Sequence, residues 1–134
     1  MMRTGSCLCG AVRFTAKGPV RPVVYCHCTQ CRKQSGHYYA ASNVPDAGLS
    51  IEGEDAVTWY AASDTAKRGF CRVCGSVLFW KANDSSVTSV MAGSFDTPAE
   101  LIAGCHIFTA DKGDYYAIDD GLPQHRGAWD GSLT

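Results

Sequence analysis

The chain has 134 residues, of which 46% are hydrophobic and 19% are charged. These values are ordinary for one packed globular domain and exclude an intrinsically disordered chain. Thirteen acidic and twelve basic residues give a formal net charge of -1, and no run of Lys or Arg is long enough to form a phosphate-binding stripe. We therefore expect a single domain over residues 1–134 that does not bind nucleic acid.

Neither a secretion signal nor a membrane anchor is apparent in the sequence. Residues 1–16 lack an apolar stretch of signal-peptide length, and no segment approaches the ~20 apolar residues that a transmembrane helix requires. We therefore expect a cytoplasmic protein with no membrane partner. In that reducing compartment, the eight cysteines are predicted to bind metal or to take part in catalysis rather than to form disulfides.

Short strands are predicted along most of the chain. Val12, Phe14 and Ala16 alternate with polar residues, which indicates a half-buried strand. Further strands, separated by Gly, Asp, Asn and Ser, are predicted at 23–25, 49–52, 57–61, 66–70, 77–81, 87–92 and 107–109. This pattern favours a mainly β fold built from small sheets.

Helical structure is predicted at only two places. One helical turn is expected over residues 29–34. A brief helix is expected to start at Pro98, because Thr97 is a suitable N-cap residue, and Gly104 limits its length. We therefore expect a low helix content.

The motif formed by Cys71, Cys74 and Gly75 is a C-x-x-C turn that directs two thiolates inward. Strand-like sequence flanks it on both sides, which favours structural metal over a redox motif at a helix N-terminus. Cys7 and Cys9 supply two further thiolates, and two thiolates are only half of a tetrahedral shell. Together the four cysteines predict a closed Zn²⁺ site with Zn–S distances of about 2.3 Å.

Three closely spaced thiolates remain, from Cys26, Cys28 and Cys31. A Zn²⁺ ion held by three protein ligands has a fourth position that water or a substrate can occupy. Alternatively, a fourth side chain closes this site, and the candidates are His27, His37, His106 and Cys105. The residues alone leave these two alternatives open.

Other conspicuous side chains have competing interpretations. Arg32 and Lys33 follow the three cysteines and would attract an anionic substrate, offset thiolate charge or lie in solvent. Cys105 is interpreted as a buried free thiol. The aromatic pairs at 59–60 and 79–80 are interpreted as core and sheet packing rather than as a ligand cage, because adjacent strand residues face opposite sides.

The seven cysteines and their neighbours resemble the glutathione-dependent formaldehyde-activating enzyme family, also called the GFA/CENP-V family. The segments that carry this resemblance are 5–10, 26–32, 70–76, 91–96, 106–108 and 119–123. The resemblance covers nearly the whole chain. One departure is the segment 111–115, which keeps Lys112 but lacks the Ser and Trp found there in many members.

This resemblance implies a β-tent of short antiparallel strands stapled by zinc. It implies two Zn²⁺ ions per chain, one structural and one of catalytic type. The structural ion is expected on Cys7, Cys9, Cys71 and Cys74. The ion of catalytic type is expected on Cys26, Cys28 and Cys31.

The resemblance implies a carbon-sulfur lyase-type enzyme that reversibly joins a thiol and a carbonyl compound. The expected partner is a small-molecule thiol or a thiol-aldehyde adduct, with glutathione and formaldehyde as the reference pair. His37 and His106 are candidates for proton transfer on residue type alone. One alternative is a non-catalytic protein-binding module with two closed zinc sites. Another is a thiol redox sensor that uses the cysteines at 26–31 together with Cys105.

Overall fold

The computed structural model describes residues 1–129 and consists of two β-sheets with one short α-helix. In chain order the strands are β1 (Met2–Ser6), β2 (Arg13–Lys17), β3 (Val23–Cys26), β4 (Tyr39–Pro45), β5 (Leu49–Glu52), β6 (Val57–Tyr60), β7 (Ala66–Cys71), β8 (Val77–Ala82), β9 (Val87–Met91) and β10 (Ala103–Ile107). The helix α1 spans Thr29–Ser35 between β3 and β4. The predicted mainly β fold is therefore confirmed.

The smaller sheet has the strand order β1-β2-β5, and the larger has the order β10-β3-β4-β9-β8-β7-β6. All neighbouring strands are antiparallel except β3 and β10, which are parallel. The main core lies between the two sheets. There Phe14 of β2 packs edge-on against Phe79 of β8, with ring centroids 6.1 Å apart, and Val44 and Val90 are fully buried beside them.

The other face of the larger sheet carries a row of polar and aromatic side chains. Arg68 pairs with Trp80, Trp80 with Ser89, and Ser89 with Asn43. Because register partners on neighbouring strands project to the same side, these four side chains share one face. This face is separate from the core face and is available to form a cavity.

Helix α1 is fixed at both ends by local hydrogen bonds. Cys28 is the N-cap residue, and its Sγ accepts a hydrogen bond from the Cys31 backbone N–H at 3.4 Å. Gly36 ends the helix in a left-handed conformation, with φ of 83°, and donates its N–H to the Arg32 carbonyl. A left-handed residue at this position is a common helix stop that glycine adopts without steric cost. The helical turn predicted over 29–34 is thus confirmed and extends by one residue.

The helix predicted at Pro98 is wrong. Two backbone carbonyls of this segment accept long-range hydrogen bonds instead. The Ala99 carbonyl accepts from Arg3 Nε at 2.7 Å, and the Ile102 carbonyl accepts from the Val23 N–H at 2.7 Å. Glu100 between them has a positive φ of 54°. Tertiary contacts therefore override the local signals in this segment.

Strand prediction succeeds for the segments before residue 92, where every predicted strand is present within one residue of its expected ends. The strand predicted at 107–109 is wrong, because Phe108 has a positive φ of 54° and ends β10 after Ile107. β1, β4 and residues 103–106 of β10 lie outside the predicted strands. No helix within residues 1–129 is long and apolar enough to cross a membrane.

Candidate functional site

Seven of the eight cysteines form two clusters. Within each cluster, every Sγ lies within 4.8 Å of the other Sγ atoms of that cluster. The four-cysteine cluster contains Cys7, Cys9, Cys71 and Cys74. The three-cysteine cluster contains Cys26, Cys28 and Cys31. The grouping is the one predicted from the sequence.

The four-cysteine cluster joins the end of β1 to the hairpin between β7 and β8. Cys9 Sγ lies 3.7 Å from Cys7 Sγ and 3.8 Å from Cys71 Sγ. A tetrahedron of sulfurs around Zn²⁺ at about 2.3 Å has an edge of about 3.8 Å. The cluster therefore has the spacing and the donor type of a structural zinc site.

Polar groups surround the sulfurs of the four-cysteine cluster. Backbone N–H groups of Val12 and Val73 donate to the sulfurs of Cys7 and Cys71 at 3.3 and 3.4 Å. Ser76 Oγ lies 3.2 Å from Cys74 Sγ, and the pKa of that thiol is lowered to about 5, chiefly because of this contact. Such outer contacts orient metal ligands and favour their thiolate form.

The three-cysteine cluster lies where β3 passes into α1. Cys26 is the last residue of β3, Cys28 caps the helix, and Cys31 is its only buried residue. Hydrogen bonds from the Cys26 and Cys31 thiols lower the pKa of Cys28, and the Cys31 N–H adds to the effect. The cluster therefore favours one thiolate, that of Cys28, whereas the pKa values of the Cys26 and Cys31 thiols are raised.

Arg68 of β7 is the cation next to the three-cysteine cluster. Its side chain is 4% exposed, and both terminal nitrogens lie 3.6 Å from Cys31 Sγ. The same nitrogens donate to the side-chain oxygens of Gln34 and Gln30 at 3.2 Å. Burial lowers the pKa of Arg68, but the charge of Cys31 and its hydrogen bond outweigh this and raise it.

A cavity of about 340 Å³ opens beside the three-cysteine cluster. It lies on the face of the larger sheet that carries the row from Arg68 to Asn43. The residues that line it are Arg21, Val24, Cys26, Cys28, Gln30, Cys31, Tyr39, Ala41, Asn43, Ser63, Thr65, Ala66, Arg68, Trp80, Ser89, Met91, Ile107 and Phe108. The four-cysteine cluster is not part of this lining, so the two clusters differ in their access to a ligand.

The cavity lining bears on two interpretations from the sequence. Trp80 lines it, so this aromatic residue does more than pack within the sheet. Arg32 and Lys33 are not among the lining residues, and the cations that do line it are Arg21 and Arg68. Strand register brings these two arginines there, and neither lies in a motif that marks a site in the sequence.

Two buried histidines form a hydrogen-bonded chain behind the three-cysteine cluster. His27 Nε2 lies 2.8 Å from His106 Nδ1, and His106 Nε2 lies 2.8 Å from a carboxylate oxygen of Asp120. His27 Nδ1 is bonded to the Tyr116 hydroxyl. Burial, and then the proximity of His106, lower the pKa of His27 to about 4. Every bond of the chain is satisfied when His106 donates to Asp120, His27 donates to His106, and Tyr116 donates to His27.

The remaining candidate residues lie outside the cavity lining. His106 belongs to the hydrogen-bonded chain, and His37 is exposed and packs on the rings of Tyr38 and Tyr116. Their predicted roles in proton transfer stay predictions. Cys105 is buried and belongs to neither cysteine cluster, as expected of a free thiol.

Comparison with known proteins connects this arrangement to one family. The family model for the glutathione-dependent formaldehyde-activating enzyme matches residues 2–111. A Halomonas elongata protein named "Putative glutathione-dependent formaldehyde-activating enzyme" is 30% identical over 132 residues, which cover 89% of this chain and 82% of that protein. An uncharacterized lyase of Schizosaccharomyces pombe is 28% identical over 113 residues, covering 84% of this chain and 82% of its own length.

The fold also has a counterpart among solved structures. The crystal structure of a Rhodobacter sphaeroides protein superposes with a TM-score of 0.59 at 21% sequence identity. The match covers 91% of this chain and 98% of that protein. Because the family match spans most of the sequence and includes both cysteine clusters, the chain belongs to the glutathione-dependent formaldehyde-activating enzyme family.

Proposed function

We propose that the protein binds two Zn²⁺ ions and acts as a carbon-sulfur lyase-type enzyme. It would reversibly join and cleave a small-molecule thiol and a carbonyl compound, with glutathione and formaldehyde as the reference pair. The observation that carries this proposal is the position of the three-cysteine cluster at the wall of a 340 Å³ cavity. The names of the relatives support the same chemistry.

The donor sets suit zinc at both clusters. Thiolates are soft ligands that favour Zn²⁺ over Mg²⁺ or Ca²⁺, and four of them complete a tetrahedral shell. Three of them leave one position for a ligand from the cavity. We therefore assign the four-cysteine cluster to structure and the three-cysteine cluster to chemistry.

Zinc bound at the three-cysteine cluster would supply a Lewis acid that favours the thiolate form of a substrate thiol or polarises a carbonyl oxygen. The chain itself contributes the surroundings of the reaction. Arg68 places a fixed positive charge against Cys31, which limits the accumulation of negative charge when an anionic sulfur enters. Trp80, Met91 and Ile107 supply apolar walls to the cavity in which the groups would react.

The proposed reaction balances without an oxidant or a reductant. In the joining direction, the sulfur forms a bond to the carbonyl carbon, and the C=O π bond breaks. The proton lost by sulfur ends on the former carbonyl oxygen. His37 and His106 are the predicted carriers of that proton, and since neither lines the cavity, they would act through intervening groups. The cytoplasmic location likewise stays a prediction.

The direct test is exchange spectroscopy by NMR on an equilibrium mixture of glutathione, formaldehyde and their S-hydroxymethyl adduct. We expect the zinc-loaded protein to accelerate exchange between free and adduct forms, and Cys28→Ser to remove the acceleration while leaving the fold intact. Equal exchange rates with the wild type, with Cys28→Ser and with buffer alone would overturn the lyase proposal. The protein-binding alternative predicts that outcome.

A further inference from the structure

The two arginines of the cavity lining, Arg21 and Arg68, differ in the groups that surround their positive charges. Arg68 is next to the cysteine sulfurs and is held by two glutamine oxygens. Arg21 contacts only neutral carbonyls, donating from Nη2 to Ala41 at 2.9 Å and from Nε to Pro22 at 3.2 Å. No Asp or Glu is among the described residues that line the cavity.

Arg21 is therefore a cation that lacks an anionic partner. Among residues 1–129 its guanidinium forms no salt bridge, and Nη1 makes no hydrogen bond to the protein. Burial lowers its pKa, an effect that the nearby Cys105 only partly opposes. A partly buried guanidinium with a free terminal nitrogen gains from a ligand that brings a carboxylate, which it can bind through two hydrogen bonds.

Strand register gives the position of Arg21 relative to the sulfurs. Its guanidinium is held at Ala41, which pairs with Val24, whereas Tyr39 pairs with Cys26. Two residues along a strand correspond to about 7 Å. A ligand with its sulfur at the three-cysteine cluster would therefore reach Arg21 with a group several bonds away from that sulfur.

Resting on the proposed function, we infer that Arg21 is a specificity-determining residue that binds the carboxylate of an acidic thiol. The substrate class is a thiol whose carboxylate is separated from the sulfur by a chain of about 7 Å. Arg21 and Arg68 then divide the ligand between them. Arg68 stabilises the sulfur end, and Arg21 binds the carboxylate end.

Two thiols of equal length test this inference. 6-Mercaptohexanoate and 6-mercaptohexan-1-ol share the sulfur and the carbon chain, and only the first carries a carboxylate. Isothermal titration of the zinc-loaded wild type should give an affinity for the acid about tenfold higher than for the alcohol, as expected for one charged bidentate contact. The ratio should fall as salt is added.

Variants assign the preference to one side chain. Arg21→Gln should lower the affinity for the acid to that of the alcohol and leave the alcohol unchanged. Arg21→Lys keeps the charge and a donor but loses the bidentate geometry, so it should retain part of the preference for the acid. If Arg21→Gln fails to fold, Arg21→Lys provides the test in its place. Arg32→Gln removes the same charge outside the cavity lining and should keep the full preference. Thermal melts identify any variant that has lost its fold.

The outcomes separate this inference from the proposed function. If neither thiol binds the wild type, the proposed function and the inference both fall. If both thiols bind equally well, or if Arg21→Gln keeps the preference for the acid, Arg21 does not select the ligand while the proposed function stands. If hexanoate, which has no thiol, binds as tightly as 6-mercaptohexanoate, the sulfur contributes nothing to the affinity. The inference is then overturned.

Discussion

Both terminal nitrogens of Arg68 lie 3.6 Å from the Sγ of Cys31. Three cysteine thiolates and one Zn²⁺ ion have a total charge of -1, which one guanidinium offsets. We expect Arg68→Met to lower the zinc affinity of the three-cysteine cluster about 10- to 100-fold, the usual effect of removing a partner of a metal ligand. Competition with a chromophoric chelator measures this change.

Lys67 provides a matched control for that prediction. It precedes Arg68 on the same strand, and its ammonium lies 4.4 Å from the centre of the Trp59 ring, outside the cavity lining. Lys67→Met removes the same charge from the chain and should leave zinc affinity unchanged. If both variants lose zinc equally, net charge matters rather than the contact between Arg68 and Cys31.

Gently purified protein is expected to contain two zinc ions per chain. Mild chelation should release the ion of the three-cysteine cluster first, because this cluster has fewer protein ligands and faces a cavity. Metal analysis measures the number of zinc ions per chain, and the time course of zinc release during chelation shows whether the two ions leave separately. A single ion, an iron-sulfur spectrum or simultaneous release of both ions would contradict the division into two different sites.

Serine substitutions in the two clusters should have different consequences. Cys71 is fully buried in the main core, so Cys71→Ser leaves a structural metal site incomplete and should unfold or aggregate the protein. Cys28 is only partly buried at the cavity, and Cys28→Ser should stay folded but lose thiol binding. Circular dichroism and thermal melts compare the two, and equal damage would disprove the assignment.

The histidine chain should contribute to stability. His106→Phe leaves His27 Nε2 buried without its partner, which costs about 1–3 kcal/mol in the free energy of unfolding. His37→Phe makes the same replacement at an exposed ring and should change stability by less than about 0.5 kcal/mol. Urea denaturation of the zinc-loaded proteins measures both values. Similar losses in the two variants would show that the chain from Asp120 to Tyr116 stabilises little.

Spacing between cysteines made the two cysteine clusters predictable from the sequence. A C-x-x-C turn and a C-x-C pair each contain half of a tetrahedral shell, so coordination chemistry alone pairs them across more than 60 residues. The helical turn predicted at 29–34 is present, and the structure adds that Cys28 both caps this helix and belongs to the three-cysteine cluster.

The cavity was not predictable in this way. Arg68, Trp80, Ser89 and Asn43 come from four strands, and only the register of the sheet places them in one row. Arg21 precedes β3 and enters the site by folding back onto Ala41. By contrast, Arg32 is next to the cysteines in sequence but outside the lining, because a helix turns successive side chains in different directions.

Co²⁺ makes the fourth coordination position at the three-cysteine cluster visible. Cobalt bound to thiolates absorbs in the visible range, so the protein with Co²⁺ in both sites should show bands from both clusters. Cys26, Cys28 and Cys31 share the cavity wall, and a soft site that already holds three sulfurs accepts a further thiolate. Added glutathione should therefore shift part of the spectrum.

Mutation at one cluster shows which bands belong to it. Cys26→Ser should abolish the shift caused by glutathione while the bands of the four-cysteine cluster persist, because that cluster is already complete with four sulfurs within 4.8 Å of one another. S-Methylglutathione has the same charges but no free thiol, and it should leave the wild-type spectrum unchanged. If millimolar glutathione changes nothing, or if the spectrum without glutathione already contains a histidine ligand, the second site is closed. A protein-binding module would then describe the chain better than a lyase, since no coordination position would remain for a substrate thiol.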